Sequence, residues 1–136
     1  AVCNPEYVRL VNSYKECVDY ILTECDYAAG ILPVTQSGSH YGRISRGACL
    51  ALKSRVLLFA ASPLFNGGIA GTGELASIVA YPNSDPNRWK LDADAAKAVI
   101  TLHAYELYID SSRLPGQKGY GFQNFFTHSF SIEFIL

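Results

Sequence analysis

Residues 42–66 read GRISRGACLALKSRVLLFAASPLFN, the longest uninterrupted helical pattern in a chain of 136 residues. Ser45 offers a hydroxyl that can accept a bond from one of the first free backbone N–H groups of a helix, and strong helix formers follow it. The N-cap is therefore placed at Ser45. Pro63 has no N–H and disfavours helical geometry at Ser62, while Asn66, Gly67 and Gly68 suit left-handed turns. The helix is expected to end near Ala61.

Within these limits Ala48, Leu52, Val56 and Phe59 recur at helical spacing on one side, and Ala51, Leu58 and Ala61 widen the apolar arc. Leu52 and Phe59 are accordingly expected in the core, with Arg46 and Lys53 forming the wet stripe. The small residues Gly47, Ala48, Ala51, Ala60 and Ala61 suit close packing against two neighbours, the position of an inner helix in a stacked array.

Working outward, Asn4-Pro5 is a weak helix start, and Ser13-Tyr14-Lys15-Glu16 reads as a stronger one, a capping box. From there Tyr14, Cys17, Val18, Ile21, Leu22, Cys25 and Ala29 fall at three- and four-residue steps, which predicts an amphipathic helix over Tyr14–Ala29 ending at Gly30. The Pro-, Ser- and Gly-containing stretch from Ile31 to Tyr41 lets two helices fold back antiparallel. A longer, Gly-rich connection runs from Asn66 to Asn87 and exceeds common helix-to-helix lengths. Asp85-Pro86-Asn87 then signals a third helix over Arg88–His103, carried by Trp89, Ala93, Ala96, Val99, Ile100 and His103, with Asp92 and Asp94 in a solvated first turn. Beyond it, Tyr120 to Phe126 and Ile132 to Ile135 gather apolar and aromatic side chains around Glu133. The pattern predicts one all-α domain over residues 1–136; no tandem repeat shows in the sequence, but helix pairs stacked without sequence identity are what degenerate tetratricopeptide-like stacked helical hairpins would give.

Composition narrows the function classes. Hydrophobic residues make up 49% and charged ones 17%, below the usual charged share of about 25%, so much of the surface is expected to meet other protein. A net charge of -1 gives no basic field for phosphates, which argues against a nucleic-acid partner. No apolar run reaches the roughly 18 residues of a membrane span, and the N-terminus lacks signal-peptide character. The absence of Met and the apolar run from Phe130 to Leu136 at the end are what a piece of a larger protein would show.

Candidate chemistry is sparse. Cys3, Cys17, Cys25 and Cys49 form no CxxC pair and no zinc spacing. Cys17 and Cys25 stand about 12 Å apart along one helix, too far for a disulfide. Cys17, Cys25 and Cys49 are read as small buried hydrophobes, and Cys3 lacks the context of a lipidated cysteine. His40, His103 and His128 sit beside no nucleophile arrangement, and Asp92 and Asp94, two apart on a helix, cannot act as paired acid and base. Gly67-Gly68 and Gly71-x-Gly73 lack the strand and the GK[ST] of a phosphate loop. No catalytic residue, metal or cofactor is expected. Aromatic residues make up 12% of the chain, and aromatic rings can hold the C–H faces of a sugar; Tyr81 in the long loop and Asn66 at its start are the candidate ligand residues, while Trp89, Tyr14 and Phe59 are read as core.

The stretch 42–66 resembles the hallmark helix of SusD-like (SusD/RagB) glycan-binding outer-membrane lipoproteins, roughly GR-x-[ST]-x-G-A-x-x-A-L-K-[AS]-R-V-L-L-[YF]-A-A-S-P-L-[YF]-N. Gly42, Arg43, Ser45, Gly47, Ala48, Ala51, Leu52, Lys53, Arg55 and the run from Val56 to Asn66 match it. SYKECVDYILTECDYAAGILP and RWKLDADAAKAVITLHAYELY resemble the family's preceding and following helices in the right order, with Asp92 where the family more often has Ala. The resemblance covers nearly all of this chain and a middle portion of the family's length. It implies a non-catalytic, surface-exposed, lipid-anchored outer-membrane protein that captures oligosaccharide and passes it to a SusC-like TonB-dependent transporter. The alternatives from other classes are a helix-array adaptor for a protein partner and a piece of a helical glycosidase.

Overall fold

In the computed structural model of the chain, residues 12–68, 73 and 75–106 are described. Cys3, Asn4-Pro5, Gly71, His128, the aromatic segments at 120–126 and 132–135, and the apolar run from Phe130 to Leu136 lie outside them. The described chain is all-α: α1 spans Tyr14–Ile31, α2 Arg46–Ala61, the short α3 Ala76–Val79 and α4 Asn87–Thr101. Among the described residues there is no strand, only one isolated parallel bridge between Asn66 and Tyr81.

Each long helix begins where its cap places it. The Ser13 hydroxyl accepts from Glu16 N at 3.3 Å, and the Glu16 carboxylate accepts from Ser13 N at 2.8 Å, closing the capping box of α1. At the other end α1 runs two residues beyond Ala29. Gly30 is tolerated inside the last turn, and the helix stops only at Leu32, held extended (φ -75°, ψ 147°) by the following Pro33. Ser45 caps α2 through Ala48 N at 3.4 Å, and Ser62 before Pro63 takes an extended conformation that ends it. Helix α4 closes with His103 in the left-handed region (φ 50°), its N–H donating to Ile100 O at 3.1 Å.

Helix α2 lies between α1 and α4. On the α1 side Arg46 Nε donates to Ala29 O at 2.8 Å and Lys53 Nζ meets Asp26 at 2.6 Å, so α1 descends as α2 ascends. On the α4 side Ser54 Oγ donates to Asp92 Oδ1 at 3.2 Å, while Tyr105, beyond the end of α4, lies against Gly47. That pair also runs antiparallel. A Cβ at Gly47 would fall 2.2 Å from the Tyr105 hydroxyl, so the glycine admits the ring. Tyr105 then donates to Val34 O at 3.2 Å and sits 3.1 Å from Ser45 Oγ, fastening the chain after α4 to the start of α2.

The face of α2 differs from the expected one. Gly47, Cys49, Leu57, Ala60 and Ala61 are buried, whereas Leu52, Leu58 and Phe59 are about half exposed. The four polar residues of α2, Arg46, Lys53, Ser54 and Arg55, point in several directions and mark no single outward face, so the direction of burial is set by the two neighbours it packs against. Lys53 lays its stem into the α1 interface and pairs its ammonium with Asp26. The same correction applies elsewhere: Trp89 is nearly half exposed on α4, Cys17 is exposed on α1, and Asp92 faces Ser54 of α2 instead of standing in water. Tyr14 does pack on the core formed by Val18, Ala60 and Tyr81.

Candidate functional site

The two residues singled out for a ligand, Asn66 and Tyr81, are neighbours. Tyr81 N donates to Phe65 O at 2.9 Å and Gly67 N donates to Tyr81 O at 3.2 Å, so the long connection returns to its own start. Gly67 makes this approach feasible: its φ of 71° is left-handed, and a Cβ there would lie 2.2 Å from Ser84 N. The ends of the connection are thereby clamped together.

Both side chains are almost fully enclosed, each 8% exposed. Asn66 uses its full hydrogen-bonding capacity on the chain itself. Its Nδ2 donates to Asp85 O at 3.0 Å and Ala61 O at 3.4 Å, and its Oδ1 accepts from Asp85 N at 2.8 Å and from the Arg88 guanidinium. One amide therefore ties the last turn of α2 to the residue that precedes α4. Asp85 in turn accepts from Asn87 N at 2.9 Å, fixing the start of α4.

The Tyr81 ring is likewise engaged. Arg88 places its guanidinium carbon 3.7 Å from the ring centroid, a cation–π contact, and Tyr14 meets the ring edge-on with centroids 5.2 Å apart. Phe65 stacks on Tyr14 at 5.2 Å. Burial raises the Tyr81 phenol's pKa against the opposing pull of Arg88, and burial raises that of Tyr14. A ring with its face under an arginine presents no free platform there for a sugar; this cluster holds the loop.

Open aromatic surface lies elsewhere, on α1. Tyr20 and Tyr27 are 67% and 70% exposed. Seven residues apart on a helix, they share one face, with Glu24 between them. That spacing is legible in the sequence, on the side of α1 opposite the apolar arc of Tyr14, Val18 and Cys25. Tyr20 also borders a groove of ≈ 520 Å³ between α1 and α2, whose walls include Ile21, Ala28, Ile44 and Leu52 and whose floor includes Cys25 and Cys49. A second cavity, ≈ 370 Å³, opens where Leu22, Leu57, Leu91 and Ala98 meet beside the Asp26–Lys53 pair.

Of the other expected chemistry, His40 and His103 are exposed, and His128 lies outside the described residues. Among the described residues no cluster of three or more His, Cys, Asp or Glu could hold a metal ion, and no helix is long and apolar enough to cross a membrane.

No family model and no curated protein matches the chain. Among solved structures the chain is similar to BT4246 of Bacteroides thetaiotaomicron, at 26% identity over 77% of this chain with a TM-score of 0.65. The chain spans 21% of the length of that protein.

Proposed function

We propose that this chain is the helical part of a SusD-like protein that captures oligosaccharide at the outer-membrane surface without turnover and delivers it to a SusC-like TonB-dependent transporter. The observation that carries the reading is the stretch 42–66, in which the matching positions have definable physical work. Ser45 caps α2, Gly47 admits Tyr105, and Asn66 joins the ends of α2 and α4. The likeness to BT4246 lends support at the level of fold. In this reading the lipid anchor and much of the sugar site belong to other parts of a longer protein, while Asn66 and Tyr81 serve by holding the loop from 67 to 84 in place. The test is calorimetric titration of the full-length protein with a panel of neutral oligosaccharides, alongside a reducing-sugar release assay. Saturable binding with no released sugar is expected; release of reducing ends, or no binding across the panel, would overturn it.

A second reading, a helix-array adaptor for a protein partner, is favoured by the apolar groove between α1 and α2. Retention of the transporter on the immobilised full-length protein, with no oligosaccharide binding in the same preparation, would favour that reading over the first.

A further inference from the structure

Cys25 of α1 and Cys49 of α2 are both free thiols, both 7% exposed, and both line the same groove between the two helices. The antiparallel register of these helices is pinned by two contacts, Arg46 to Ala29 and Lys53 to Asp26. Cys49 lies between those anchor points on α2, and Cys25 lies next to Asp26 and four residues before Ala29 on α1. Packed helices with axes about 8–10 Å apart, each with Cα atoms about 2.3 Å off its axis, bring facing Cα positions to the separations that disulfides span.

We infer that Cys25 and Cys49 form a redox-dependent staple across the α1–α2 groove, closed by exchange with a low-molecular-weight disulfide. One cysteine thiolate attacks the small disulfide, forming a mixed disulfide and expelling one small thiolate. The second cysteine, as thiolate, attacks the protein sulfur of that mixed disulfide and expels the other. The two protein thiols are oxidised, the small disulfide is reduced to two thiols, and the protons of the cysteines pass to those leaving groups. Both cysteines line the groove, which is the side from which a small disulfide approaches them, whereas Cys17, about two turns away on α1, cannot reach Cys25. Burial and the neighbouring Cys49 raise the pKa of Cys25, which lowers its thiolate fraction and slows its attack near neutrality. The inference does not depend on the proposed sugar function.

The test equilibrates the unaltered chain with excess oxidised glutathione at about pH 8.5, alkylates the remaining thiols and maps tryptic peptides without reduction. The expected product joins peptide 16–43, which carries Cys17 and Cys25, to peptide 47–53, which carries Cys49. The link persists in Cys17→Ser and disappears in Cys25→Ser. Closing this loop is expected to raise the melting midpoint by roughly 10 °C, reversed by dithiothreitol. Both thiols still free at equilibrium, glutathione retained on either one without closure, or a link that moves to Cys17 would each overturn the staple.

Discussion

Asn66 and Asp85 exchange two hydrogen bonds across 19 residues of chain: Asp85 N donates to Asn66 Oδ1 at 2.8 Å, and Asn66 Nδ2 donates to Asp85 O at 3.0 Å. The pairing sits where α2 ends and α4 is about to begin, so the geometry of the hairpin depends on one buried amide. Asn66→Ala strands the Asp85 N–H and removes one of the two acceptors of Arg88, leaving Asn83 O. A loss of about 1–3 kcal/mol per orphaned buried group is expected, read as a lower urea midpoint. A variant that unfolds at the wild-type midpoint would show that the loop closes without this residue.

Leucines on opposite sides of α2 are expected to separate sharply. Leu57 is buried and Leu52 is half exposed, so Leu57→Ala is expected to cost about 2–5 kcal/mol and Leu52→Ala under about 1 kcal/mol. Denaturant unfolding of the two variants side by side measures the difference, and a reversed order would mean that Leu52 is covered in solution.

Glycine replacements test the backbone in the same way. A Cβ at Gly68 would lie 1.9 Å from Pro63 O, and Gly67 is left-handed, so alanine at either position strains the turn after α2. Gly30 meets nothing within 4 Å and sits inside α1 with ordinary helical geometry. Gly30→Ala is therefore expected to stabilise by about 0.4–1 kcal/mol while Gly67→Ala and Gly68→Ala destabilise by more than that amount, as shifts in thermal midpoint.

The capping box predicts a pH dependence. Hydrogen bonds from the Ser13 N–H and hydroxyl hold the Glu16 carboxyl below its usual range. Because the folded-state pKa is depressed, the stabilisation is complete above the unfolded-state value and is lost as pH falls through the carboxylate range toward the folded one. The midpoint difference between wild type and Glu16→Gln should thus be largest near neutrality and shrink toward pH 3, about a unit below the free carboxylate range. A difference that stays constant with pH would remove Glu16 from the account.

The sequence by itself determined where the three long helices are, while the short α3 within the long connection carries no cap that would mark it. Caps and stops are local chemistry: Ser13 with Glu16, Ser45, and Pro63 acting on Ser62 need only their neighbours along the chain, and α2 has the predicted bounds, Arg46–Ala61. Even the overrun of α1 has a local cause, since Pro33 and not Gly30 supplies the stop. What only the tertiary structure decided is which way α2 turns and what the long connection does. An apolar helix carries no marker of its own inward side, so Leu52 and Phe59 were indistinguishable from Leu57 and Ala60 until α1 and α4 took up their places. Likewise a Tyr and an Asn in a Gly-rich loop have the composition of a binding site. It was Arg88, brought over the Tyr81 ring and onto the Asn66 amide from the first turn of α4, that turned them into the clasp of the hairpin, because burial and hydrogen-bond saturation depend on partners distant in sequence.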